Sequence, residues 1–219
     1  MIIAVTGGTG RTTTALGLAA AASATGQDTI LVDGDSFQHD AEAALRSVTA
    51  MAKTLNRTPP LRVLPLSPEE TTRWVTTDNP RADQVTILDL PRRAPDDVLG
   101  AVDAVLIPLK AGDMVGVHRA GGAADTRFRM VATENGAPCF ALIHSDQLHF
   151  ASRHAGDGLI QDERIQLLDA RVPHSIEVKR IAGSPWGSNW SLFAALFAPS
   201  WEELRGRLGL PVPAQSRPA

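Results

Sequence analysis

The stretch VTGGTGRTTT at residues 5–14 follows the apolar start MIIA and precedes an alanine-rich segment. This order predicts a buried β-strand that turns through glycines into a helix. A strand that ends in Gly-Gly-x-Gly before a helix gathers backbone N–H groups and a helix N-terminus around one point, which suits a phosphate group. The ordinary P-loop pattern G-x-x-x-x-G-K-[ST] is not met, because Val5 stands at its first position and Arg11 at its lysine position. A tight glycine turn without a ligand is the alternative interpretation.

Outside this stretch, β-type runs alternate with helical segments, which predicts a mostly parallel sheet with helices on both faces. Ser67 and Glu70 form a capping-box pattern with Pro68 at the first helical position. The prediction is one α/β domain over residues 1–210, with a sheet of about seven strands, and a disordered tail at 211–219. The predicted strands are 2–6, 29–33, 61–66, 85–89, 104–108, 139–144 and 168–172, and the predicted helices are 12–24, 41–55, 68–76, 114–135, 158–167 and 190–208.

Composition limits the class of protein. With 21 basic and 24 acidic residues in 219, the chain has no overall basic field to attract nucleic acid or membranes. The single cysteine, Cys139, excludes an internal disulfide and is interpreted as a small buried residue in a reducing compartment. The N-terminus is apolar but lacks a basic region, so neither a signal peptide nor a membrane span is expected. We therefore expect a cytoplasmic protein.

Three carboxylates follow predicted strands. ILVDGDSFQ at residues 30–38 places Asp33 and Asp35 at the end of the second strand, and TILDLP at residues 86–91 places Asp89 at the end of the fourth. Ligands of open α/β sheets bind outside the carboxyl ends of the strands, so these side chains are expected beside the glycine loop. Each could instead be a helix cap or turn residue, an interpretation that suits Asp35 best.

These motifs together resemble the ParA/MinD-type ATPases, P-loop proteins of the SIMIBI class with the deviant Walker A pattern K-G-G-x-G-K-T-[ST]. TGGTGRTT resembles that loop, LVDGDSFQ the family's L-[IL]-D-x-D-P-Q, ILDLP its Walker B strand, and VDAVLIPLKAGD the strand and loop after it. LLDARVPHSIEVKRIAGSPWGS resembles the family's last strand and the loop that follows. The resemblance covers most of residues 1–208 and implies the P-loop NTPase fold.

The resemblance implies ATP or ADP and Mg²⁺ as cofactors. Thr12 would ligate Mg²⁺ with Asp33 and Asp89 in its outer shell, and Asp35 would position the attacking water, with Arg11 as the second catalytic residue. Preference for adenine rests on the resemblance alone. The phosphate-binding residues it implies are Gly7, Gly8, Thr9, Gly10, Arg11, Thr12 and Thr13.

Both lysines of the family's loop are missing. Arg11 keeps the positive charge of one, but its planar fork differs in shape from an ammonium group. Thr6 replaces the other, which in the family reaches the partner's nucleotide, and carries no charge. Lys110, Arg92 or Arg93 could substitute, although solvated surface charges fit them as well. We therefore expect a protein that binds nucleotide and hydrolyses it slowly or not at all.

The resemblance also implies partners: an ATP-bound homodimer, nonspecific DNA, and a small ParB-like or adaptor activator, in a bacterial cytoplasm near the nucleoid. No membrane anchor is expected, because Pro199 interrupts the apolar stretch at 190–210 and Glu202 and Glu203 follow. We interpret that stretch as a packing pair of helices with Trp190, Phe193, Phe197 and Trp201 as core anchors. The candidate DNA-binding residues are Arg119, Arg127, Arg129, Lys179 and Arg180.

Two other functions remain open at this stage. The lost lysines would fit a non-hydrolysing nucleotide-binding regulatory module. A small metabolic ligase of the same fold, similar to dethiobiotin synthetase, would need substrate-binding residues near the loop. His144 and His174 follow predicted strands and either line the base side of the site or are ordinary histidines; the asparagine that often recognises the base in the family is not evident in LIHSDQ.

Overall fold

The computed structural model describes residues 1–7, 10–35, 61–77, 83–91, 94–110, 136–144, 165–173 and 190–212. Within these ranges all strand pairs are parallel and belong to one sheet, as predicted. The seven strands are β1 (Ile2–Val5), β2 (Thr29–Asp33), β3 (Arg62–Pro65), β4 (Val85–Asp89), β5 (Ala104–Lys110), β6 (Cys139–His144) and β7 (Ile165–Val172), in the spatial order β3-β2-β4-β1-β5-β6-β7. The described helices are α1 (Arg11–Ala24), α2 (Pro68–Thr76), α3 (Asp96–Gly100) and α4 (Trp190–Arg207).

The sheet is covered on both faces, which explains why its central strands are continuously apolar. Ile3 and Val5 of β1 belong to a core cluster with residues of α1 and α4, whereas Ile2 and Ala4 belong to a second cluster with residues of α2 and α3. Cys139 is buried in the second cluster. None of the helices in the described ranges has the length and apolar content needed to cross a bilayer.

Helices α1 and α4 approach each other closely at Gly17. A Cβ at this position would overlap the ring of Phe197, which is fully buried. Phe193 and Trp201, one turn to either side on α4, are also fully buried, and Trp190 packs against the same cluster. The predicted role as core anchors is confirmed for Phe193, Phe197 and Trp201, whereas Trp190 is half-buried and packs against this core.

Helix α4 runs without a break through Pro199, so the predicted pair of helices is wrong. Proline removes one backbone donor and disfavours the preceding turn, but the buried residues Phe193, Phe197, Trp201 and Leu204 lie on one helical face across it. Burial of that face outweighs the local preference.

The prediction of a helix at 158–167 is wrong for its last three residues, which begin β7. Ile165 and Leu167 alternate along the strand and pack on the second core cluster. The short α3 was not predicted. Predicted helices 41–55 and 114–135 and residues 158–164 lie outside the described residues. The strand predicted at 168–172 begins three residues earlier, at Ile165, and the remaining predicted elements agree with the structure to within two residues at each end.

The carboxylate of Glu203 on α4 binds the backbone of strand β7. Ala141 of β6 is opposite Leu167 but Ile143 is opposite Arg171, so β7 contains extra residues at a bulge. The N–H groups of Asp169 and Ala170 at this bulge donate to the two carboxylate oxygens of Glu203, at 3.0 and 2.7 Å. Burial raises the pKa of Glu203, but these N–H groups and the Arg207 guanidinium outweigh it, and the pKa is lowered overall.

Candidate functional site

The candidate site lies at the carboxyl edge of β2, β4 and β1. Asp89 ends β4 and is in register with both Asp33 of β2 and Val5 of β1, after which the chain enters the glycine loop. The N–H of Gly34 donates to the Asp89 carbonyl oxygen at 3.0 Å, and the N–H of Asp35 donates to the Asp33 carboxylate at 3.3 Å. The turn after β2 is therefore held against the end of β4.

The glycine loop places the N-terminus of α1 at this edge of the sheet. Gly7 and Gly10 have φ values of +80° and +89°, a left-handed conformation that favours glycine. Gly10 is the N-cap of α1 and has no side chain with which to cap, and the first turn, Arg-Thr-Thr-Thr, carries no acidic residue. The partial positive charge of this helix end is therefore available to an anion. Thr12 and Thr13 are half-buried in that turn, whereas Gly8 and Thr9 lie outside the described residues.

Arg11 joins three elements at the site. Its Nη1 donates to the carbonyl oxygen of Leu90, just after β4, at 2.5 Å, and its Nη2 lies 3.4 Å from a carboxylate oxygen of Asp35. The Arg11 and Asp35 side chains are 19% and 13% exposed. The residue that replaces the expected lysine is thus turned into the site and bound to the carboxylate proposed to position water.

Asp89 is the electrostatically unusual group. Its side chain is buried, and neither carboxylate oxygen has a hydrogen-bond partner among the described residues. Burial, with Asp33 and Asp35 nearby, raises the pKa of Asp89 to about 7, and the neighbouring Thr12 hydroxyl and Arg11 guanidinium offset only part of this rise. Carboxylate oxygens buried without donors fit a bound cation.

The carboxylates do not form a direct metal cage by themselves. In the part of the chain that the structure describes, no group of three His, Cys, Asp or Glu side chains is close enough to hold a metal ion. A Mg²⁺ site needs no such group, because Mg²⁺ keeps several of its waters and takes few protein ligands. Thr12, Asp33 and Asp89 are the residues that suit that role.

Thr6, at the position of the family's second lysine, is buried. Thr6 is 2% exposed, its N–H donates to the Leu106 carbonyl oxygen at 3.1 Å, and its hydroxyl donates to that of Pro91 at 3.5 Å. A side chain so placed does not extend beyond its own chain. Of the substitutes considered, Arg92, Arg93 and the Lys110 side chain lie outside the described part, as do the DNA-patch residues Arg119, Arg127, Arg129, Lys179 and Arg180.

Sequence reasoning missed one contact beside the loop. The fully buried Thr14 places its hydroxyl 2.7 Å from Nε2 of His144, the last residue of β6. The sequence singles out His144 as a histidine after a strand, but it does not identify the partner. A hydroxyl on the buried face of an otherwise alanine- and leucine-rich helix is the signal that could have found it.

No model of a protein family and no curated protein matches the sequence. Among solved structures, the chain is similar to the MinD cell division protein of Aquifex aeolicus, with a TM-score of 0.67 and 13% identity over 94% of this chain and 96% of that one. A plasmid partition protein of Borrelia burgdorferi B31 bound to AMPPNP gives a TM-score of 0.60 and 14% identity over 92% and 98%. The ATP complex of a McdA variant from Cyanothece gives 0.61 and 16% over 98% and 99%. The resemblance inferred from the motifs is thereby confirmed at the level of architecture: the protein has the fold of the ParA/MinD-type P-loop ATPases.

Proposed function

We propose that the protein is a ParA-like nucleotide-binding ATPase that dimerises with ATP and acts as a switch in DNA partition or cargo positioning, with slow hydrolysis. The observation that carries the nucleotide site is the N-terminus of α1, which has no side-chain cap, together with the Arg11 guanidinium. Next to them lies the carboxylate of Asp89, whose oxygens have no hydrogen-bond partner among the described residues. Donors for phosphate thus adjoin acceptors for a cation, the pairing that a magnesium–nucleotide complex requires.

The similar structures support the same ligand class. The Borrelia protein is bound to AMPPNP and the Cyanothece protein to ATP. Because the glycine loop of this chain occupies the strand-to-helix turn of the same fold, the β- and γ-phosphates are assigned to the N–H groups around Gly7, Gly10 and Arg11. The role in partition or positioning, the homodimer, the DNA patch and a ParB-like activator rest on the family resemblance.

In the proposed reaction the chain mainly positions groups and neutralises charge. Thr12, Asp33 and Asp89 would hold Mg²⁺, which neutralises charge on the phosphate oxygens. Arg11 and the α1 N-terminus bind the γ-phosphate, and Asp35 orients a water. The water oxygen attacks the γ-phosphorus while the bond from that phosphorus to the β–γ bridging oxygen breaks; the bridging oxygen leaves on ADP and the proton of the water passes to the released phosphate. Arg11 contacts Asp35 in this structure, so phosphate and carboxylate compete for one guanidinium, which is a physical reason to expect slow turnover.

A second candidate is a regulatory module that binds nucleotide without hydrolysing it. The burial of Thr6 favours this alternative, because the position that carries the trans-acting lysine in the family cannot supply a charge to a partner's nucleotide. Loss of a charge that stabilises the transition state of phosphoryl transfer lowers rates by about 10³ to 10⁵.

The test combines binding, turnover and oligomeric state. Calorimetric titration with ATP and Mg²⁺ should show binding, and phosphate release should be slow and sensitive to nonspecific duplex DNA. Light scattering should show a dimer with ATP and a monomer with ADP. Asp35→Asn keeps the shape of the side chain and should abolish turnover while leaving binding within a few-fold.

Each result separates the candidates. Binding without turnover in the wild type would favour the regulatory module over the ATPase. An ATP-independent oligomeric state would remove the switch, and no nucleotide binding with Mg²⁺ would overturn both candidates.

A further inference from the structure

His144 meets α1 at its first turn, on the side away from the carboxylates. The residue ends β6, next to Lys110 of β5 and Val172 of β7 in the sheet register. Its imidazole packs edge-to-face on the ring of Phe197, with the ring centroids 6.0 Å apart. The imidazole is therefore fixed between the sheet, α4 and the start of α1.

The hydrogen bonds around Thr14 determine which imidazole nitrogen carries the proton. The Thr14 hydroxyl has one hydrogen, and it donates to the Gly10 carbonyl oxygen at 2.8 Å. A carbonyl oxygen only accepts, so the second contact of the hydroxyl, to His144 Nε2 at 2.7 Å, requires Nε2–H as the donor. Burial lowers the pKa of His144 to about 4, so the ring is neutral at pH 7 and Nδ1 is unprotonated.

These hydrogen bonds lead from His144 to the Gly10–Arg11 peptide group of the glycine loop. The Gly10 carbonyl oxygen accepts from both the N–H of Thr14, at 2.9 Å, and its hydroxyl, at 2.8 Å. The carbonyl of Gly10 and the N–H of Arg11 share one planar trans peptide and point in opposite directions. Fixing that carbonyl along α1 therefore fixes the Arg11 N–H out of the helix end, toward the place assigned to phosphate.

We propose that His144 is a positioning residue for nucleotide phosphate, which acts through the Thr14 hydroxyl to hold the Gly10–Arg11 peptide in the orientation that binds an anion. This inference rests on the proposed nucleotide site and adds to it a residue from β6. It makes the affinity for phosphate depend on a neutral hydrogen bond on the far side of the loop from Asp89. His144 itself touches no phosphate in this role.

Two matched pairs of substitutions test the proposal. His144→Gln keeps an N–H donor near the position of Nε2, whereas His144→Met has similar length and no donor. Thr14→Ser keeps the hydroxyl, whereas Thr14→Val removes it with little change of shape. The affinity for AMPPNP with Mg²⁺ should fall roughly three- to tenfold in His144→Met and Thr14→Val, and by less than about twofold in the Gln and Ser variants.

The double variant His144→Met/Thr14→Val should bind AMPPNP no more weakly than Thr14→Val alone, because without the Thr14 hydroxyl His144 has no bond through which to act on the Gly10 carbonyl. Thermal unfolding of each variant separates positioning from folding: a purely structural role would lower the melting temperature and leave the affinity of the folded protein unchanged. Additive losses of affinity, or equal affinities in the Gln and Met variants, would overturn the proposal.

Measurements without nucleotide, on the wild type and on the two His144 variants, separate this proposal from the proposed function. ¹⁵N NMR should show His144 as the neutral Nε2–H form at pH 7. Exchange of the Thr14 amide, whose N–H donates to the Gly10 carbonyl oxygen, should be faster in His144→Met than in His144→Gln. An Nδ1–H form, or equal exchange rates, would overturn the positioning role even if AMPPNP binds. The expected tautomer and exchange rates without AMPPNP binding would support the held peptide and refute the proposed nucleotide as its ligand.

Discussion

At the scale of single residues, Arg11 shows what a guanidinium does that a lysine cannot. One fork contacts two acceptors on different elements, the Leu90 carbonyl oxygen and the Asp35 carboxylate. An ammonium group is a compact point charge on a flexible stem and does not match both acceptors with a rigid geometry. Arginine at this position therefore changes how the glycine loop is held in the absence of ligand, and it changes the shape of the cationic group that meets the phosphate.

Substitutions at Arg11 should separate charge from shape. Arg11→Lys keeps the charge and restores the ordinary residue of the motif, so the affinity for AMPPNP with Mg²⁺ should stay within a few-fold of wild type. Arg11→Met removes the charge and should weaken binding about tenfold or more, because a charge-assisted hydrogen bond to phosphate is lost. Calorimetry measures both affinities. Equal binding by Arg11→Met and wild type would show that the guanidinium serves only its contacts within the chain.

The residues of this site differ in how far the sequence predicts them. The positions of Asp33 and Asp89 at neighbouring strand ends follow from the sequence, because each ends a buried apolar run in a parallel sheet. The Arg11–Asp35 contact and the Thr14–His144 contact do not. The second joins residues 130 positions apart in the chain, and only the order of the strands brings them together.

At the scale of secondary-structure elements, the crossing of α1 and α4 depends on the absence of a side chain at Gly17. Gly17→Ala should raise helix propensity but force the Phe197 ring and α4 away. Overpacking of a core typically costs about 1–3 kcal/mol, which exceeds the roughly 1 kcal/mol that alanine gains over glycine in a helix. The free energy of unfolding, measured with urea, should therefore fall by up to about 2 kcal/mol.

Gly206→Ala is the matched control for this prediction. Gly206 lies in α4, is exposed, and has nothing within 4 Å of an added Cβ. This substitution should leave the free energy of unfolding unchanged or raise it by up to about 1 kcal/mol. Equal effects at the two glycines would show that the helices separate at little cost.

The attachment of β7 to α4 should be sensitive to acid. The folded-state pKa of Glu203 is lowered, so its carboxylate contributes stability that is fully present above the unfolded value of 4.5 and is lost as pH falls through the lowered value. Glu203→Gln should unfold more easily than wild type by about 1–3 kcal/mol at pH 7, and the difference should shrink below pH 4.5. Urea titrations at about pH 7 and about pH 3.5 measure it, with the exposed Asp97→Asn as control. A difference that stays constant with pH would mean that the charge of Glu203 is not what fastens β7.

Sequence patterns predict the element types correctly where periodicity and burial agree, and wrongly where they conflict. The capping box of Ser67 and Glu70 forms as the sequence indicates and starts α2 at Pro68. Pro199 favours a break by local sequence rules, but those rules do not weigh the continuous buried face that holds its helix together. The start of β7 is mistaken for helix because two apolar residues, Ile165 and Leu167, are too short a run for their strand-type i, i+2 spacing to decide the element.

At the scale of the whole molecule, two core clusters hold the sheet from either face, and the candidate site lies at its edge. The packing of these clusters can offset the presence of a destabilising group at the site, and functional sites often contain such groups. Asp89 is such a group. The pKa of Asp89 is about 7 in the folded state and its ordinary value is 3.8, so ionisation of Asp89 destabilises the fold. This destabilisation grows as the pH rises from 3.8 to about 7 and is nearly complete at about pH 8.

Asp89→Asn should therefore stabilise the ligand-free protein and impair the site at the same time. At about pH 8 without Mg²⁺, the free energy of unfolding in urea should rise by about 1–3 kcal/mol, because a buried charge without partners among the described residues is removed. Asp33→Asn is the control: the Asp33 carboxylate accepts the N–H of Asp35, so its loss should not stabilise the fold.

With AMPPNP and Mg²⁺ at about 100 times the dissociation constant, binding should stabilise the wild type by about 2.7 kcal/mol, whereas Asp89→Asn should gain much less. Thermal unfolding with and without ligand measures this difference. If Asp89→Asn unfolded more easily than wild type in the ligand-free state, the carboxylate would be a structural group with partners of its own. Raised stability of ligand-free Asp89→Asn, together with loss of its stabilisation by ligand, would show that the Asp89 carboxylate destabilises the fold and serves to bind the cation.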